Sequence, residues 1–162
     1  MECPLPRSSQ GVTISDCLFT RLDGLGIFVG GYARGLVISG NEFAFLGGSA
    51  IAAWGDTSEA LNANGTRALP TGYKIGPDGR GGNQPRGTRV VGNLCREIGL
   101  WEKQSSLWFS AVSANSTVEG NVFFNGPRAA LNYNARFPII VQSNKRTHKR
   151  PAIPHLNKIQ KI

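Results

Sequence analysis

The sequence predicts an all-β chain built as a parallel solenoid, a β-helix of stacked coils. Three observations carry this. Two consecutive stretches, GVTISDCLFTRLDGLGIFVGGYAR from Gly11 and GLVISGNEFAFLGGSAIAAWGD from Gly35, repeat each other at an offset of about 24 residues, a period typical of solenoids. Within each stretch, short segments alternate apolar and polar residues with the period of two that marks a strand. The chain also holds 21 glycines, enough for many tight bends, and no amphipathic helical stretch of credible length.

The offset aligns Ile14 with Ile38, Ser15 with Ser39, Phe19 with Phe43, Leu22 with Leu46, Gly24 with Gly48 and Ile27 with Ile51. No unit could bury its apolar face alone, so the units must stack. Ile14, Phe19, Leu22, Ile27, Ile38, Phe43, Leu46, Ile51, Ile98 and Phe123 are the expected inward residues.

The segment Ile38-Ser39-Gly40-Asn41-Glu42-Phe43 returns as Val90-Val91-Gly92-Asn93-Leu94-Cys95 and as Val118-Glu119-Gly120-Asn121-Val122-Phe123. Gly-Asn is a bend that tolerates positive φ. The first unit carries Asp16-Cys17 instead. Stacking puts Asn41, Asn93 and Asn121 in one column. An amide both donates and accepts, so these three side chains form an expected structural ladder. Four coils at about 4.8 Å each would stand only about 20 Å tall.

Between the second and third units the repeat stops. Residues 56–87 are rich in Gly, Pro, Asn and polar residues and read as a long loop leaving one bend and returning to the next coil. After Asn134 the pattern fails. The organisation read from the sequence is a solenoid domain over 1–134 and a basic, disordered tail over 135–162. The formal net charge of +8 is concentrated in that tail. It holds seven Lys and Arg and no acid, against 11 basic and 10 acidic residues in the body. A nearly neutral body offers no electrostatic footprint for nucleic acid. The tail alone supports a reading as a binder of anions.

The start, MECPLPRSSQ, has no apolar core of a signal peptide, and no apolar run reaches the length of a membrane span. Three scattered cysteines have no metal-site spacing. No metal and no cofactor is expected. The first coil starts within about ten residues of Met1 without a cap, and a solenoid needs capped ends. The chain therefore reads as a fragment of a longer solenoid.

The densest polar and aromatic segment is Leu100-Trp101-Glu102-Lys103-Gln104-Ser105-Ser106-Leu107-Trp108-Phe109. Trp101 and Trp108, with Trp54 at the end of the second coil, are candidate sugar-stacking residues. Glu102 and Lys103 place an acid and a cation beside them, and Arg128 and Tyr133 follow in the next coil. A cation that neutralises a sugar carboxylate, a base and a proton-returning tyrosine are what lyase or epimerase chemistry on uronic acids needs. Glu102, Lys103, Arg128 and Tyr133 are the candidate catalytic residues. The other reading of the same segment is packing, with Trp108 and Phe109 filling a wide coil and Glu102–Lys103 a solvated edge.

On VTISDCLF, LVISGNEF, VVGNLC and TVEGNVFFNG, the chain resembles the right-handed parallel β-helix superfamily, the pectin-lyase-like fold, over roughly residues 11–134. GNLCREIGLWEKQSSLWFSA followed by EGNVFFNGPRAALNYN resembles a subgroup known only as right-handed β-helix domains. The resemblance implies a right-handed single-stranded helix and an extracellular or cell-surface setting. It also implies a polysaccharide partner, acidic in character, that is bound or modified by lyase, epimerase or hydrolase chemistry. A structural or surface-display solenoid without chemistry is the competing function.

Overall fold

The computed structural model describes residues 3–4, 8–55, 84–133, 139–142 and 145–146. Among them there is no helix; every element is a short strand. The first turn carries β1 (Cys3–Pro4), β2 (Ser8–Gln10), β3 (Thr13–Ser15) and β4 (Leu18–Thr20). The second carries β5 (Ile27–Gly30), β6 (Tyr32–Arg34), β7 (Val37–Ser39) and β8 (Glu42–Leu46). The third holds β9 (Ile51–Trp54), β10 (Arg89–Val91) and β11 (Leu94–Ile98), and the fourth β12 (Trp108–Ala111), β13 (Ser116–Glu119) and β14 (Val122–Phe124). β15 (Leu131–Tyr133), β16 (Ile139–Gln142) and β17 (Lys145–Arg146) make the fifth.

Equivalent strands of successive turns pair in parallel. The first sheet runs β1-β5-β9-β12-β15, the second β3-β7-β10-β13-β16 and the third β4-β8-β11-β14-β17. β2 pairs with β6, and single bridges Arg34–Arg86 and Arg86–Ala114 carry that column into the third and fourth turns. The 24-residue offset is the register itself: Ile14 faces Ile38, Phe19 faces Phe43 and Ile27 faces Ile51. The core lies between the three sheets. Ile27, Ile38, Phe43, Leu46, Ile51, Ile98 and Phe123 are buried in it, while Ile14, Phe19 and Leu22 of the first turn are partly buried against it.

Bends also stack. Asp16, Gly40, Gly92 and Gly120 share one column, with φ of 55, 65, 64 and 63°. Arg21, Phe45, Glu97 and Asn125 share a second, at 56, 55, 50 and 50°. Only the first of these columns uses glycine to meet the left-handed requirement; the second holds side chains there at a steric cost.

The described residues make five turns rather than the four expected. β16 and β17 pair with β13 and β14, so part of 135–162 continues the solenoid instead of leaving it. The sequence, which has no Gly-Asn bend here, predicts one strand around Phe137, Ile139 and Val141 over the fourth coil; the pairing of Lys145–Arg146 with β14 goes beyond it. Residues 135–138, 143–144 and 147–162, where the rest of the expected tail falls, lie outside the described residues, as do 56–83 of the expected loop.

Candidate functional site

The asparagine column is a continuous hydrogen-bonded ladder. Asn41 Nδ2 donates to Asn93 Oδ1 at 3.0 Å, and Asn93 Nδ2 to Asn121 Oδ1 at 2.9 Å. Each Oδ1 also accepts the backbone N–H of the preceding turn, from Cys17, Asn41 and Asn93. Each Nδ2 donates in addition to a carbonyl of the preceding turn: Ile14, Ile38 and Val90. All three asparagines are 1% exposed. Their amides serve the backbone and present nothing to a ligand.

The segment after β11 is a five-residue enlargement of one corner. Ile98 pairs with Leu46, yet Trp108 pairs with Ile51, so ten positions do the work of five. The excess folds back on the preceding turn. Leu100, Trp101 and Glu102 donate their N–H groups to the carbonyls of Leu46 and Gly47. Trp101 is 71% exposed and lies against Gly47, where an added Cβ would meet its ring. Glu102 Oε2 would stand 3.0 Å from a Cβ on Gly48. Lys103 Nζ donates to Leu100 O at 2.8 Å and Gly99 O at 3.2 Å, which ties the ammonium to its own loop. Arg128 Nη1 donates to Gln104 Oε1 at 3.2 Å.

Trp101, Glu102, Lys103 and Arg128 therefore share one corner, but the other sequence candidates lie elsewhere. Trp108 is fully buried and faces inward in the column of Ile27 and Ile51, with no partner for its Nε1. It has no free face for stacking, because alternation along β12 turns it into the core. Tyr133 pairs with Ser110, which is itself in register with Ala53 and Val29, so it occupies an inward column, yet on the last described strand of its sheet it stays 36% exposed. Burial pushes its phenol up to about 12. Cys95 is buried in the inward column between Phe43 and Phe123, and desolvation raises its thiol.

Trp54 is 44% exposed and stands on the outer face of the first sheet. It sits at the end of β9 remote from the enlarged corner, at least a strand length or about 10 Å away. Its neighbours there are aromatic. Its ring and that of Phe109 have centroids 5.6 Å apart at 31°. Phe109 pairs with Ala52, and Ala52 with Phe28, so Phe28 and Phe109 flank β9 on the same outer column. Phe28 lies flat along its own strand: a Cβ on Gly30 would stand 2.6 Å from its Cε1. Small residues, Gly30 and Ala111, are the register partners of Trp54 on either side. The result is a strip of three rings on three adjacent strands, running along the solenoid axis and covering Ala52, which is 3% exposed.

Sequence reading found Trp54 but missed Phe28 and took Phe109 as a core filler. The signal was present. Ile27, Val29, Ile51, Ala53 and Trp108 face inward, so period-two alternation sends Phe28, Trp54 and Phe109 outward.

Among the described residues no group of three or more His, Cys, Asp or Glu could hold a metal ion, and no helix is long and apolar enough to cross a membrane. No protein-family model, no curated protein and no solved structure matches the chain.

Proposed function

We propose that this chain is a polysaccharide-binding domain of the right-handed parallel β-helix, pectin-lyase-like type, acting at the cell surface or outside the cell. The single observation that carries the reading is the outward strip of Phe28, Trp54 and Phe109. Aromatic faces suit the apolar faces of pyranose rings, and a row along the axis suits a chain of them. Right-handedness follows from the strong preference of parallel crossover connections for that hand. Binding is favoured over chemistry. Lys103 is engaged by its own loop at the corner remote from Trp54, and Tyr133 stands in an inward column while Trp54 points outward. An acidic ligand would reach Arg128 and Lys103 at the corner while stacking on the strip.

Titration of acidic and neutral oligosaccharides against tryptophan fluorescence tests this. Trp54→Ala and Phe109→Ala should each weaken binding about tenfold, the equivalent of about 1.4 kcal/mol. Lys103→Ala and Arg128→Ala should weaken the acidic ligand alone. Unchanged affinity in both aromatic variants would remove the strip as the site. Equal loss for both ligands in the cation variants would remove the acidic preference.

A further inference from the structure

A third column of bends stacks at the corner that leads into the second sheet. Gly11 N donates to Arg34 O, Gly35 N to Arg86 O and Gly87 N to Ala114 O, so Gly11, Gly35, Gly87 and Asn115 follow one another from turn to turn. Their φ values are 61, 61, 69 and 50°. Three turns meet the left-handed requirement with glycine. The fourth meets it with asparagine, a side-chain-bearing residue that tolerates this conformation.

The glycines leave this corner bare. A Cβ on Gly11 or Gly35 would meet nothing within 4 Å, and a Cβ on Gly87 would meet only the backbone of Gly35, no nearer than 3.8 Å. Asn115 is partly exposed, and its amide makes no side-chain hydrogen bond among the described residues. The other bend asparagines are engaged. Asn41, Asn93 and Asn121 are buried in the ladder, and Asn125 Nδ2 donates to Glu97 Oε1 at 2.7 Å.

Asn115 also heads the triplet Asn115-Ser116-Thr117, of the form Asn-Xaa-Ser/Thr with Xaa other than proline. No other described asparagine heads one. The strand that follows sorts the triplet by alternation. Ser116 is fully buried, while Thr117 pairs with Arg89 in an outer column and is partly exposed. The acceptor amide therefore stands at a bare corner with the hydroxyl beside it on the outer surface.

We infer that Asn115 is a site of N-linked glycosylation. This rests on the extracellular setting of the proposed function, because the reaction belongs to chains that enter a secretory lumen. The donor is an oligosaccharide joined to a lipid through a diphosphate. Asn115 Nδ2 bonds to the anomeric carbon of the first sugar, the bond from that carbon to the diphosphate breaks, the lipid diphosphate leaves, and Nδ2 gives up one proton. The first-sheet strip of Phe28, Trp54 and Phe109 lies beyond the Val112 bend and the short column of Arg34, Arg86 and Ala114, so a glycan on Asn115 leaves it uncovered.

The test sends the full chain, behind an added signal peptide, through the secretory pathway of a eukaryotic cell. Peptide N-glycosidase in isotope-labelled water then converts each glycosylated asparagine to labelled aspartate. Mass spectrometry of lumenal and secreted chains should place the label at Asn115. Asn115→Gly restores the residue that the column uses in the other turns, and Thr117→Val keeps a strand-forming residue; each should abolish labelling at position 115. Thr117→Ser should retain it. Asn115→Gly should bind oligosaccharides as the unaltered chain does, so failure of the glycosylation site and failure of the aromatic strip are told apart. Because entry into the lumen is supplied, a wrong extracellular reading does not mask the result. An unlabelled Asn115 overturns the inference, whether or not Asn64 of the second triplet, Asn64-Gly65-Thr66, carries label. So does a label at Asn115 that persists in Thr117→Val.

Discussion

Replacing Asn93 by leucine removes the middle rung of the asparagine ladder. Asn93 Oδ1 accepts from Asn41 N and Asn41 Nδ2, each at 3.0 Å. Its Nδ2 donates to Ile38 O, Val91 O and Asn121 Oδ1 at 2.9, 3.2 and 2.9 Å. Some of these partners keep a second bond after the change. Asn41 Nδ2 still reaches Ile14 O, Asn121 Oδ1 still accepts Asn93 N, and Val91 O still accepts Gly40 N. Asn41 N–H has no such substitute. An orphaned buried donor costs about 1–3 kcal/mol, and each lost cross-turn bond adds up to about 1 kcal/mol more. Leucine burial offsets part of this. The expected destabilisation is about 3 kcal/mol. In urea, with a slope near 2 kcal/mol/M, the midpoint should fall by about 1.5 M with the slope unchanged. Asn132→Leu, on the outer face of β15, is the control and should move it little. A shift for Asn93→Leu no larger than the control's would refute the ladder as a source of stability.

Cys17 fills the ladder position in the first turn, where its N–H already donates to Asn41 Oδ1. Cys17→Asn supplies the missing amide donor and should raise stability by about 1 kcal/mol, measured by the same denaturation. Arg21 is exposed and held at a φ of 56°. Arg21→Gly should be more stable than Arg21→Val by about 1–2 kcal/mol, since a β-branched residue fits that conformation worst; equal stabilities would argue that the bend relaxes. Tyr133 should titrate near pH 12 by ultraviolet absorbance. Its folded-state value is raised above the ordinary value of about 10, so the stability it contributes is fully present below about pH 10 and is lost as pH rises through 12. A phenol that titrates at the ordinary value would show that the column of Ser110 does not desolvate it.

The local repeat was legible because solenoid contacts join residues a fixed distance apart in sequence. Phe19 meets Phe43 and Ile27 meets Ile51 at the offset visible by eye, and Gly-Asn marks the bend wherever it occurs. The same alternation implied which way each side chain points, although Trp54 and Phe109 were not brought together by it. The obstacle was an interrupted offset. Ala52 and Phe109 are register partners separated by residues 56–83 and by the enlarged corner, so the strip has no fixed spacing in the sequence.

What the sequence determined by itself was the all-β class, the parallel stacking and the column of asparagines, because each follows from a period that survives without knowledge of long-range contacts. What only the tertiary structure decided was placement across the interruptions. It turned Trp108 into the core, set Tyr133 in an inward column while leaving it 36% exposed, tied Lys103 to its own loop, and set β17 beside β14. The physical reason is that a strand in a solenoid is fixed by the edge it lands on. Once the chain has left that edge, the pairing energy of the returning strand selects the register, and no local pattern records which residue it will face.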